Sequence, residues 1–315
     1  MQIPTFDPRP DIRLIAADMD GTLLDDDNEL HEHFWPLVHE LNRRGILFCP
    51  ASGRQYFNLR ERFADIADEI VFIAENGTYV VHRDREVSSD CLELSDARRL
   101  VSAARETVAT GVDAGIVVCG KRSAYIDRTD ALFRAEIDRY YTRLEVVDDL
   151  LGVSDDEVLK VSVFDFGSAE HTTAPGLTDY HETHLVTVSD DEVLKVSVFD
   201  FGSAAHTTAP GLAGYHQTHL VTVSSAHWVD ITSQTANKGR AIQHLQDAFA
   251  ITPAQTMVFG DFLNDLEMMG AADYSFAMDN AHPLLRERAR YIAPPNSENG
   301  VVRTISSVLG LPWLH

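Results

Sequence analysis

The chain has 315 residues, a formal net charge of −23 and a hydrophobic fraction of 44%. The acidity argues against nucleic acid and anionic membranes as partners, and no stretch approaches the ~18 uninterrupted apolar residues of a membrane span. Cys49, Cys91 and Cys119 are an odd number without metal-ligand spacing, so they read as reduced thiols of a cytoplasmic protein.

Met1 to Asp11 is a polar arm carrying Pro4, Pro8 and Pro10, not a basic-then-apolar leader. The pattern then predicts a buried strand over Ile12–Ala17. It delivers Asp18 and Asp20 two residues apart, and Gly21 lets the chain turn sharply. Extended residues i and i+2 point the same way, so both carboxylates face one pocket at the strand's carboxyl end. Two close carboxylates repel unless a cation or a shared proton holds them. A hard divalent ion such as Mg²⁺ is the natural guest.

An amphipathic helix follows over His31–Arg44, ended by Gly45, then a strand at Ile46–Cys49, a helix at Tyr56–Ala67 and a strand at Ile70–Ala74. Strands separated by helices imply βαβ units and a parallel sheet. The last third repeats the style. Helices are predicted at Lys238–Phe249, from Asp265 to Met269, at Pro283–Arg290 and at Gly300–Leu309; strands at Thr256–Phe259, Tyr274–Ala277 and Tyr291–Ile292. The middle differs, with a helical stretch at Ser95–Val108 and longer β-like runs such as Val158–Phe166. We read residues 1–82 and 225–315 as one α/β core and 83–224 as an α+β domain inserted into it.

The inserted region holds a tandem repeat. Residues 153–187 and 188–222 align without gaps and differ only at Glu170/Ala205, Thr178/Ala213, Asp179/Gly214 and Glu182/Gln217. Solenoids need about three or more units, so two near-identical copies mark a recent or engineered duplication of one supersecondary unit. Each copy reads as a strand, a Pro/Gly-broken short helix, then a strand (Leu185–Val188 in the first). One copy is enough for a sheet; the other must extend the sheet, replace the first in register, or bulge out. His181 and His184, with His216 and His219 in the second copy, lack a carboxylate or thiol at ligand spacing and read as hydrogen-bonded histidines rather than a metal site.

Three further segments stand out. In Phe48-Cys-Pro-Ala-Ser-Gly-Arg54 the Ser52 hydroxyl and the Gly53 and Arg54 amides suit an anion near a helix start, as they suit an ordinary strand-to-helix turn. Lys238 opens a helix, where a lysine meets either a phosphoryl group or solvent; the chain has only four lysines. In Val258-Phe-Gly-Asp-Phe-Leu-Asn-Asp-Leu-Glu-Met268, Asp261 and Asp265 flank Asn264 just past an apolar strand, a cluster that suits Mg²⁺.

In this order the segments resemble the haloacid dehalogenase-like hydrolase superfamily, most closely its Cof-type phosphatases with an α/β cap (type C2B) between the second and third motifs. Asp-Met-Asp-Gly-Thr matches the first motif, Ser52 the second (with Ser where Thr is common), Lys238 the third and Gly-Asp-Phe-Leu-Asn-Asp the fourth. Glu75-Asn-Gly77 and Glu298-Asn-Gly-Val301 also fall where such phosphatases carry those words. The resemblance covers roughly 12–82 and 225–310, and the middle only by position. The 32 residues from Asp20 to Ser52 leave no room for a cap; the 186 from Ser52 to Lys238 leave ample room.

The resemblance implies a Rossmann-like core with a parallel sheet flanked by helices. It implies a Mg²⁺-dependent phosphatase for small phosphorylated metabolites, such as sugar phosphates or phosphorylated cofactors. Asp18 would be the nucleophile and Asp20 the acid–base. Ser52 and Lys238 would hold the phosphoryl oxygens. Mg²⁺ would sit on Asp18, the Asp20 carbonyl and Asp261, with Asp265 orienting Lys238 or a metal-bound water. Gly53, Arg54, Asn76 and Asn264 would contact substrate, and the inserted domain would act as a lid. A phosphomutase shares the aspartyl-phosphate, and a non-catalytic phosphometabolite-binding protein with an impaired cap shares the pocket. Monomer and homo-oligomer remain equally open.

Overall fold

The computed structural model describes residues 3–166, 212–215, 217–223 and 228–311. The chain forms two compact units: Met1–Asp90 with Tyr140–Thr142 and Thr235–His315, and Cys91–Arg139 with Arg143–Gln234. Among the described residues no helix is long and apolar enough to cross a membrane.

The first unit begins with β1 (Leu14–Asp18), whose five residues are all buried. A loop through Met19–Leu23 leads on to α1 (Phe34–Arg43). Phe34, Leu37, Val38 and Leu41 fall on one helical stripe and are buried in the core. Gly45, at φ 71°, stops the helix while the Ile46 amide donates back to the Leu41 carbonyl. β2 (Leu47–Ala51), α2 (Tyr56–Arg62), β3 (Val71–Ala74), β4 (Tyr79–His82) and β5 (Arg85–Ser89) complete this stretch. The second helix ends at Arg62, short of the expected Ala67; a single tight turn over Ala64–Ile66 follows.

The second unit runs through α3 (Leu94–Ala109), β6 (Ala114–Gly120), β7 (Ala124–Ile126), α4 (Ala131–Ile137), β8 (Leu144–Val146), β9 (Val158–Asp165), β10 (His219–Val223) and β11 (Trp228–Ser233). The chain then returns to the first unit with α5 (Lys238–Phe249), β12 (Thr256–Gly260), α6 (Leu266–Gly270), β13 (Tyr274–Met278), α7 (Pro283–Arg288), β14 (Tyr291–Ala293) and α8 (Gly300–Leu309).

The first unit's sheet has the order β14-β13-β12-β1-β2-β3-β4-β5. β14 through β3 run parallel, and β4 and β5 add an antiparallel edge. The order reverses beside β1, since the chain leaves toward β2 on one side and β12 lies on the other. In open α/β sheets ligands gather at the carboxyl ends of the strands around such a point.

The second unit's sheet has the order β10-β11-β9-β6-β7-β8 and is antiparallel except between β7 and β8. Ala97, Leu100, Val101 and Ala104 of α3 form its apolar stripe, packed with Val118, Val161, Val163, Val221 and Ile231 of the sheet. The joints expected at 82/83 and 224/225 lie instead at 90/91 and 234/235. The reason is strand pairing: β5 belongs to the first sheet through β4, and β11 to the second through β9.

Within the repeat, β9 comes from the first copy and β10 from the end of the second, and β11 pairs with both. The short helix and the strand Leu185–Val188 expected in the first copy lie outside the described residues, as do His181, His184 and His216. His219 is buried on β10 with Nε2 3.6 Å from the Asp96 carboxylate.

Candidate active site

The strands β1, β2, β3 and β12 deliver their following residues to one end of the parallel sheet. Asp18 closes β1, Ser52 and Arg54 follow β2, Asn76 follows β3, and Asp261, Asn264 and Asp265 follow β12. Lys238 is the first residue of α5, whose start is fixed by the Asn237 side-chain oxygen accepting from the Arg240 amide at 2.8 Å.

Lys238 is fully buried, and its ammonium donates to Asp18 Oδ1 and, at 2.7 Å, to Asp265 Oδ1. The other oxygen of Asp265 accepts from the Asp261 and Phe262 amides at 3.0 and 3.3 Å. One carboxylate thus fixes both the lysine and the loop after β12. Asp261 in turn accepts from Thr22 Oγ1 at 2.8 Å. Gly21 lies at φ 79°, and a side chain there would run into the Asp261 carboxylate, so this position demands glycine twice over.

Carboxylate oxygens of Asp18, Asp261 and Asp265 lie within 4.8 Å of one another. Three carboxylates share one ammonium there. Burial pushes the Asp18 carboxyl well above the usual range, with the Asp265 and Asp261 charges adding to it against the pull of Lys238. Burial, then the Asp265 charge, raises Asp261 to about 7. Burial pulls the Lys238 ammonium down, but Asp18 and Asp265 more than offset this and hold it above its ordinary value. The cluster is short of positive charge, and oxygen-only ligands on a hard divalent cation would supply it. The residues present therefore fit Mg²⁺.

Asp20 stands apart from this trio. Its side chain is half exposed and turned to Arg54, whose guanidinium makes two bonds to it, at 2.6 and 3.2 Å. Ser52 is buried, with its hydroxyl accepting from the Arg54 amide at 3.1 Å. Asn76, at φ 58°, accepts from Asn264 Nδ2 at 3.3 Å. A side chain at Gly53 would sit only 3.0 Å from Asn76 Nδ2, so glycine keeps the loops after β2 and β3 together.

Sequence reasoning missed three groups here. Thr22, the Thr of Asp-Gly-Thr, holds Asp261. Asn280 donates to the Gly21 carbonyl at 2.8 Å, and the Asp20–Arg54 pair joins two motifs 34 residues apart. The motif word contained Thr22; nothing local in the sequence marks Asn280.

The model of one protein family, described as haloacid dehalogenase-like hydrolase, matches residues 15–305. Over 306 residues the chain is 32% identical to the 5-amino-6-(5-phospho-D-ribitylamino)uracil phosphatase YbjI of Escherichia coli K12, covering 95% of this chain and 96% of that protein. It is 28% identical to the HMP-PP phosphatase of Cronobacter sakazakii, covering 87% and 86%. The crystal structure of SMU.1108c from Streptococcus mutans UA159 superposes with a TM-score of 0.75 at 24% identity, over 95% of this chain and 99% of that one.

Proposed function

This chain belongs to the haloacid dehalogenase-like hydrolases, and from that premise we propose that it is a Mg²⁺-dependent phosphomonoesterase for small phosphorylated metabolites, working through a phosphorylated Asp18. The observation that carries the reading is the buried Lys238 ammonium between Asp18 and Asp265, with Asp261 completing a charge-deficient trio.

In the proposed reaction an Asp18 oxygen attacks phosphorus in line as the ester P–O bond breaks. Lys238 donates to Asp18, opposing the burial that raises its carboxyl, and faces an equatorial phosphoryl oxygen. The Ser52 hydroxyl donates to another. The leaving oxygen takes a proton from Asp20, which then accepts one from the water that hydrolyses the aspartyl-phosphate. The Asp20–Arg54 pair must open for this, and an arriving phosphoryl group competes for the guanidinium. Mg²⁺, held by Asp18, the Asp20 carbonyl and Asp261, would screen the repulsion between carboxylate and phosphate. Asp265 orients Lys238. We assign the inserted unit the role of a lid that excludes water and reads the leaving group.

The relatives' names point to phosphorylated ribityl and pyrimidine compounds as substrates worth testing first. The test is phosphate release from a panel of such phosphomonoesters, with Mg²⁺ and with chelator. Release that needs Mg²⁺ is expected. No release from any compound by the folded protein would refute the reading and favour a binding protein.

A further inference from the structure

β1, β2, β3 and β12 end in groups that the proposed reaction uses, whereas β13 and β14 end in none of them. The chain after β13 makes one tight turn, with the Ala281 amide donating to the Met278 carbonyl at 2.9 Å. From that turn Asn280 Nδ2 donates to the Gly21 carbonyl at 2.8 Å, and the His282 amide donates to the Asp261 carbonyl at 2.8 Å. Thr22, next to Gly21, donates to the Asp261 carboxylate. Three segments of the first unit thus close a ring: the loop after β1, Asp261, and the turn Asn280–His282.

Asn280 is itself held. Its Oδ1 accepts from the Asn296 amide at 3.1 Å, and the buried Asn296 side chain reaches the Leu24 carbonyl at 3.0 Å and Asp26 Oδ1 at 3.2 Å. Asn296 opens the turn that the word Glu298-Asn-Gly completes. Its carbonyl accepts from the Asn299 amide at 2.9 Å, Asn299 lies at φ 57°, and a side chain at Gly300 would run into the Pro294 carbonyl. That word, which the reaction leaves unassigned, therefore serves the loop after β1.

Gly21, at φ 79°, has no Cβ to restrict the peptide that follows it, so its carbonyl needs an outside partner to keep one orientation. Asn280 is that partner. Fixing this peptide fixes where the Asp20 carbonyl before it and the Thr22 hydroxyl after it stand with respect to Asp261. A small cation is sensitive to such spacings. Mg²⁺ demands near-ideal octahedral geometry at about 2.0–2.1 Å, whereas Ca²⁺ accepts looser geometry at about 2.3–2.6 Å.

We propose that Asn280 is a positioning residue that tunes the site for Mg²⁺ by holding the loop after β1 against Asp261, while touching neither metal nor substrate. The proposal rests on the Mg²⁺-dependent reading of the same site.

The test is calorimetric titration of the wild-type protein and of Asn280→Ala with Mg²⁺ alone and with Ca²⁺ alone. Asn280 is exposed, so the change leaves the core intact, and a wild-type melting transition is confirmed first. We expect Mg²⁺ affinity to fall about tenfold or more, as when other outer partners of metal ligands are lost, and Ca²⁺ affinity to fall less. Asn280→Asp keeps the acceptor for Asn296 but lacks the donor for Gly21, and it should shift the Mg²⁺ to Ca²⁺ ratio the same way. Thr22→Val should also weaken Mg²⁺. The double variant with Asn280→Ala should be no weaker than the worse single one, because both side chains belong to one ring.

Unchanged Mg²⁺ affinity overturns the proposal, as do equal losses for the two cations or additive losses in the double variant. A wild-type protein that binds Mg²⁺ and releases phosphate beside an unaffected Asn280→Ala overturns this role alone. A wild-type protein that binds neither cation sinks the Mg²⁺-dependent reading, and the role of Asn280 with it.

Discussion

Titrating Mg²⁺ against pH probes the charge deficit around Asp18 most directly. Asp261 has a folded pKa of about 7 against an ordinary value of 3.8. That gap of roughly 3 units corresponds to about 4 kcal/mol. A carboxyl raised in the folded state favours the fold below its unfolded pKa, and this contribution is lost as pH rises through the folded one. The metal-free protein should therefore lose about 4 kcal/mol of stability between roughly pH 4 and pH 8. Bound Mg²⁺ should abolish that loss, because it requires the ionised carboxylates. The same linkage makes Mg²⁺ displace at least one proton below pH 7. Apparent affinity should rise at least about tenfold per pH unit from 5 to 7. Calorimetry in two buffers of different ionisation enthalpy counts the protons released, and chemical unfolding with Mg²⁺ or chelator reads the stability. An affinity flat between pH 5 and 7, with no proton release, would refute a metal on this trio.

Two further outcomes follow from the same residues. Asp18→Asn keeps the shape but removes the nucleophilic charge, so kcat should fall by about 10⁴-fold or more while inorganic phosphate still binds; activity near wild type refutes the assigned role. Deleting 188–222 joins Thr187 to Val223 and rebuilds the run His-Leu-Val-Thr-Val of β10. Both strands keep their sequence, so the shortened protein should unfold cooperatively and retain phosphate release. Loss of cooperative unfolding in that deletion would count against it.

The first unit was legible because each motif sits at the end of an apolar strand with strong local punctuation. Asn237 and Gly310 bracket their helices, and both α5 and α8 lie where the periodicity predicts. The β4–β5 hairpin escaped notice because its turn, Arg83–Asp84, takes positive φ at both residues without a glycine to announce it. That hairpin is also why the domain joint was placed too early. Asp20 was read with Asp18 because i and i+2 share a side in an extended chain. Met19, between them, leaves the extended conformation at the turn after β1 and breaks that geometry, leaving Asp20 to Arg54. The buried Lys160–Asp230 pair of the second sheet was out of reach altogether, since its partners are 70 residues apart and meet only through the register of β9 with β11.

The composite origin of the second sheet bears on the gene as well as the fold. β9 is drawn from one copy and β10 from the other, and the four positions at which the copies differ all fall outside these strand sequences. Recombination between the copies, wherever the crossover falls, removes 35 residues and leaves one leading strand and one trailing strand of unchanged sequence. The duplication can therefore be reversed without a scar in either strand, and a lineage can gain or shed it while the sheet keeps its residues.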